Sequence, residues 1–205
     1  GYHTPTIGWM VDLERMSVAE LRAWYEEWYA PNNATLVVVG DVTPDEVKAL
    51  AQRYFGPVVK REIPIAKAPL ELPTPGERLL KVHVQTQLPS LMMGFNVPSV
   101  STAKDPVTAN ALRLISALLD GGYSARMPTQ LERGEELVSG ASSSYDAFTR
   151  GDSLFLLSAM PNSQKKVTMA QAEAGLWRLL DDLKKTPPTP EELERVRAQV
   201  IAGLV

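Results

Sequence analysis

Residues Ser17 to Gly56 read SVAELRAWYEEWYAPNNATLVVVGDVTPDEVKALAQRYFG, and the start and stop signals in this stretch decide the fold. Ser17 followed by Glu20 is a capping box, in which the hydroxyl accepts a free backbone donor and the carboxylate reaches back to another. Leu21, Trp24, Tyr25 and Trp28 then recur at helical spacing and form one aromatic-rich face. Pro31 stops that helix, and Asn32-Asn33 is turn chemistry. Ala34 to Val39 is a short continuous apolar run, which predicts a strand covered on both faces. Gly40-Asp41 ends the run. Thr43-Pro44-Asp45-Glu46 is a second capping box, with proline at the first helical position. Val47, Leu50, Ala51, Tyr54 and Phe55 line the apolar face of the helix that follows, and Gly56-Pro57 closes it.

Beyond this unit lies a proline-rich stretch over residues 57–78, with Pro57, Pro64, Pro69, Pro73 and Pro75, which reads as a stiff, extended crossing segment. Leu80, Val82 and Val84 alternate with Lys81, His83 and Gln85, the pattern of a half-buried strand. Ser90 to Val97 predicts a second strand. Asp105-Pro106 opens a helix with Leu112, Ile115, Leu118 and Leu119 toward the core, stopped by Gly121-Gly122. Ser124 to Arg133 predicts a short helix with Pro128 near its first turn. Leu137 to Phe148 and Ser153 to Met160 read as an antiparallel pair turning at Thr149 to Asp152. Asn162-Ser163 is read as the cap of a long helix carrying Val167, Ala170, Ala174, Trp177, Leu180 and Leu183. Thr186-Pro187-Pro188 breaks it, and Thr189-Pro190-Glu191-Glu192 starts another. Helices clustered around a mainly antiparallel sheet give an α+β, two-layer fold. Residues 1–205 are read as one such domain, with 57–78 as its crossing segment.

The chain has 205 residues, enough for a substantial core, with 44% apolar and 22% charged content, ordinary globular values. A net charge of −3 supplies no field for nucleic acid or an anionic membrane. No apolar run approaches the length of a membrane span. With no cysteine, disulfides, thiolate metal sites and a cysteine nucleophile are excluded, although the compartment, periplasm or cytoplasm, stays open. The chain opens at Gly1 without a methionine or targeting segment and closes at Val205 within a helical pattern. This predicts a piece of a longer polypeptide.

A self-contained active site is not expected. Hydrolytic zinc usually takes three protein ligands, and the two histidines, His3 and His83, lie far apart. His83 alternates with valines, which predicts a solvated position. Ser139-Gly140 and Ser142-Ser143-Ser144 sit on a predicted strand without a nucleophile elbow. Gly121-Gly122 lacks both phosphate-loop patterns, so a helix stop is the better reading. The carboxylates Glu132, Glu135, Glu136, Glu191, Glu192 and Glu194 read as solvated faces or caps. Trp24, Tyr25, Trp28 and Tyr29 carry no interleaved basic residues and read as packing, not as a base-stacking platform.

Several segments resemble the non-catalytic half-domain of pitrilysin/insulinase-type zinc peptidases: Gly8-Trp9-Met10 with Asp12-Leu13, Trp28 to Ala34, Val39 to Val42, and Leu118 to Arg126, which matches a Gly-Gly-x-Ser-x-Arg segment. The resemblance implies a preceding half-domain with an inverted zinc motif, His-x-x-Glu-His, whose glutamate is the general base for zinc-bound water. It also implies that half-domains pair and close around a peptide held extended as an added strand. Zinc would then belong to the parent protein and not to these residues. The partners implied are the zinc half, a second homologous subunit or copy, and a peptide.

The family's transition-state-assisting half carries an arginine and, seven residues on, a tyrosine. Aligned on Leu137, those positions fall on Glu132 and Ser139, which do not match. Arg133 stands one residue out of register. The resemblance therefore implies the supporting C-terminal domain of a bacterial zinc metalloendopeptidase, with no catalytic or metal-binding residue of its own. The alternative is a structural subunit that kept the fold and lost the chemistry.

Overall fold

The structure is a computed structural model that describes residues 5–65, 76–86 and 88–203. His3, Pro69, Pro73 and Pro75 lie outside the described residues. Contacts divide the chain into two units, Gly1–Leu80 and Lys81–Val205.

In the first unit two of the three helix starts follow from local side-chain chemistry. α1 spans Met10–Arg15, α2 Val18–Trp28 and α3 Pro44–Phe55. Ser17 and Thr43 each accept the amide three residues on, and Glu20 and Glu46 reach back to the cap amides. Those hydrogen bonds hold both carboxyls below the usual carboxylate range. The turn Pro31–Asn33 does more than reverse the chain. Asn33 Nδ2 donates to Trp28 O at 3.0 Å, satisfying a carbonyl at the end of α2. Asn32 exchanges two hydrogen bonds with the backbone of Arg61, donating to its carbonyl at 2.9 Å and accepting from its amide at 3.1 Å. The aromatics at the end of α2 cluster: Tyr25 stacks on Tyr29 with centroids 4.5 Å apart, and Trp24 meets Tyr29 edge-on at 5.7 Å.

The second unit holds the core. β1 (Leu91–Val97), β2 (Val138–Tyr145) and β3 (Ser153–Pro161) form an antiparallel sheet in the order β1-β3-β2. Phe155 of β3 lies between Phe95 and Tyr145 in the register. On β3 the alternation is clean: Phe155, Leu157 and Ala159 are buried and Leu154 and Met160 are not. The buried face packs against α4 (Pro106–Asp120), a π-helical turn (Met127–Glu132) and α5 (Met169–Lys185). The core joins Leu119, Met127, Leu131, Val138, Phe155, Leu157, Ala172, Leu176 and Leu179. Each fully buried leucine contributes on the order of 2 kcal/mol of transfer free energy. At Gly175 of α5 a Cβ would lie 3.0 Å from Leu137 Cδ1 and 3.4 Å from Leu131 Cδ2. α6 (Pro190–Ala202) packs on α4. The α+β architecture read from the sequence is therefore the observed one.

Four local expectations need correction. Ala34 to Val39 joins no ladder among the described residues, and Val37 and Val39 are 76% and 93% exposed. An apolar run states a demand for burial on both faces without naming what meets it. Leu80 to Gln85 likewise forms no ladder among the described residues, with both alternating sets exposed. The long helix starts at Met169, not after Asn162, because Thr168 and Gln171 form the capping box. Asn162 Oδ1 instead accepts the amides of Gln164 and Lys165 in a turn. The short helix after Ser124 is a π-turn, with the Arg133 amide donating five residues back to Pro128 O at 3.1 Å.

Candidate functional site

The sequence places its most informative departures, Glu132 and Ser139, around the start of β2, and the structure gives each a partner. Glu132 is the last residue of the π-turn. Its Oε1 accepts the amide of Ala141 at 3.0 Å. Asp120, the last residue of α4, accepts the amide of Ser143 with Oδ2 at 3.2 Å. Ala141 and Ser143 pair with Ala159 and Leu157, two residues apart on one strand. Amides at that spacing point the same way, here away from β3 and out of the sheet. Among the described residues β2 is an edge of the sheet, and the two carboxylates thus sit on its consecutive outward amides.

Ser143 is held further: its hydroxyl donates to Ser116 O at 2.8 Å and lies 3.1 Å from the Ser116 hydroxyl. Burial pushes the Asp120 carboxyl above the usual carboxylate range; the Ser143 amide pulls it back and the charge of Glu132 adds to the rise. A cleft of about 260 Å³ opens beside this pair, lined among others by Arg113, Ser116, Asp120, Ser143, Tyr145 and Gln199. Tyr145 does not reach for a ligand, since its hydroxyl donates to Pro98 O at 2.6 Å.

Ser139 falls in a β-bulge, where the register slips between Val138 and Gly140. Its hydroxyl donates to Met160 O at 3.3 Å. Arg133, next to Glu132, turns away from β2. Its guanidinium lies 3.6 Å from the centroid of Tyr123 and donates to Tyr123 O at 2.6 Å.

The Gly121-Gly122 segment is a helix stop, as its sequence suggests. Gly121 N donates to Ala117 O, and a Cβ at Gly121 would fall 2.2 Å from that oxygen, so only glycine fits. Gly122 has φ of 100° and its amide donates to Asp120 O. These amides are spent inside the chain. Arg126, at the end of the recognisable segment, forks onto Glu192 of α6 through Nε at 3.2 Å and a terminal nitrogen at 3.0 Å. Glu192 also accepts the amide of its own cap residue, Thr189.

Among the described residues no group of three or more His, Cys, Asp or Glu is placed to hold a metal ion. Asp120 and Glu132 are close, but both serve as acceptors for β2 amides and His83 stands exposed elsewhere. This donor set does not fit hydrolytic zinc. Sequence reasoning missed Asp120, Ser116 and Ser143 as a cluster. Nothing in their local composition marks them, because the chain brings them together only when β2 returns alongside α4. Among the described residues, no helix is long and apolar enough to cross a membrane.

Comparison with known proteins identifies the family. Residues 15–200 match the family described as the peptidase M16 inactive domain, and the chain belongs to that family. It is similar to the zinc protease PqqE of Helicobacter pylori, with 30% identity over 210 residues that cover 100% of this chain and 45% of that protein. The chain thus spans less than half the length of that relative. A crystal structure of a protease from Helicobacter pylori superposes with a TM-score of 0.70 and 28% identity, over 97% of this chain and 47% of the other. The periplasmic protease PqqL from Escherichia coli shares the fold, with a TM-score of 0.68 and 18% identity, over 97% of this chain and 22% of that one.

Proposed function

We propose that this chain is the supporting C-terminal domain of a zinc-dependent metalloendopeptidase. It packs on a zinc-bearing half of the same polypeptide and lines the chamber that holds the peptide. The observation that carries this reading is the family match over residues 15–200. The zinc, held by the other half, would supply an activated water; the residues described here hold no part of that reaction. The engagement of Glu132 and Ser139 by backbone groups of their own domain supports assigning this domain to the zinc-bearing subunit and not to the transition-state-assisting half.

The test compares two proteins, this chain alone and the product of its complete gene. Each is supplied with zinc and assayed on a fluorogenic peptide, and bound metal is measured by elemental analysis. The expected result is stoichiometric zinc and turnover for the complete product and neither for residues 1–205. Turnover by residues 1–205 alone would sink the proposal. A complete product that binds no zinc would favour the structural-subunit reading.

A further inference from the structure

We infer that Glu132 and Asp120 close the outer edge of β2 to strand addition, so that no extended segment can extend the sheet on that side. An edge strand presents unpaired amides and carbonyls, and a second strand adds to it unless something blocks them. The usual blocks are a lysine or proline on the strand, a bulge, or a covering element. β2 reads VSGASSSY and carries neither charge nor proline. Its bulge at Ser139 disrupts only its beginning. The middle of the strand is built of small residues, Gly140 to Ser144, that would let another backbone approach closely. Protection there falls on the two side chains that already occupy the outward amides, Glu132 on Ala141 at 3.0 Å and Asp120 on Ser143 at 3.2 Å.

The arrangement is specific in two ways. The guards come from the two elements that pack along β2, the π-turn and α4. Both guards are acceptors, matched to donors, and together they remove one of the two kinds of group an incoming strand requires, the outward amides. A charged acceptor on a backbone amide is also a stronger partner than a neutral carbonyl, so an incoming strand cannot displace it without loss. With the guards removed, the simplest partner is β2 of a second copy, because two identical edges pair antiparallel about a twofold axis.

Amide hydrogen exchange resolved to single residues, on the product of the complete gene, tests it. In the unaltered protein the Ala141 and Ser143 amides are protected. Glu132→Ala is expected to speed exchange at Ala141 by about tenfold or more, and Asp120→Ala to do the same at Ser143. Amides of the buried core strand, such as Leu157, keep their protection and report that the variants remain folded. Glu132→Gln, which retains an acceptor oxygen, keeps most of the protection at Ala141. In sedimentation the double alanine variant forms a concentration-dependent species of twice the unaltered mass. Unchanged exchange at both amides would overturn the inference. So would faster exchange with the unaltered association state at every concentration, since the edge would then be closed by something else.

Discussion

The guanidinium of Arg126 and the carboxylate of Glu192 meet through two hydrogen bonds, with the side chains only 11% and 28% exposed. This pair ties the segment after α4 to the first turn of α6. Removing one partner of such a pair leaves a charge without compensation in a partly dry site. Arg126→Ala is expected to lower unfolding free energy by about 2 kcal/mol, less than for a fully buried pair because water still reaches Glu192. Arg126→Lys recovers only part of the loss, since an ammonium cannot supply the fork. Urea denaturation with an unchanged slope checks both.

Glu192 and Asp120 respond to pH with opposite sign. Arg126 holds the Glu192 carboxyl below its ordinary 4.5. Its contribution is therefore complete above pH 4.5 and is lost as pH falls through the depressed value. Asp120, raised above its ordinary 3.8, is penalised in the folded state when ionised. That penalty is complete above the raised value and disappears as pH falls toward 3.8. Asp120→Asn, whose amide oxygen still accepts from Ser143, should therefore raise stability at pH 7 and change it little at pH 3.5. Thermal melts of both proteins at the two pH values decide this; equal shifts at both would show that ionisation is irrelevant.

Leu157 is fully buried on the central strand, whereas Val39 is 93% exposed. Leu157→Ala leaves a cavity between sheet and helices and is expected to cost about 3–5 kcal/mol. Val39→Ala removes apolar surface that water already reaches and should stay within about 0.5 kcal/mol. Comparable losses at both positions in chemical denaturation would mean that Val39 is covered by something in solution.

Gly175 and Leu137 are coupled through space. Gly175→Ala gains helix propensity of about 1 kcal/mol but drives its methyl toward Leu137 Cδ1. In a Leu137→Ala background the obstruction is gone and the same substitution should stabilise. A double-mutant cycle is expected to give about 1 kcal/mol of favourable coupling, and strict additivity would refute the contact.

Three helix starts were legible in the sequence because caps are local: Ser17 with Glu20, Thr43 with Glu46 and Thr189 with Glu192 each complete their chemistry within four residues, whereas the equally local box of Thr168 and Gln171 was passed over for Asn162. β1 and β3 were legible as apolar runs bounded by turn residues, whereas the alternation over Leu80 to Gln85 joined no ladder among the described residues. Ala34 to Val39 was misread because composition records how apolar a segment is, not what covers it. The π-turn left no trace in composition, since a hydrogen bond to the fifth residue back needs no special side chain. The resemblance pointed to Glu132 and Ser139 as departures, but not to what they do. Their partners, Ala141 and Met160, are fixed only by the path of β2, and that is a property of the folded chain.

The π-turn from Met127 to Glu132 sets which charge faces β2. Its wide hydrogen-bonded ring holds one residue more than an α-helical turn, and the phase of everything after it is advanced accordingly. Glu132 emerges toward Ala141 and Arg133 toward Tyr123. Excision of a single residue from Thr129 or Gln130 would tighten the ring and rotate a guanidinium into the direction the carboxylate now takes. The charge that faces Ala141 is thus stored in a backbone winding number, and one codon separates a carboxylate there from a guanidinium, with Asp120 still on Ser143.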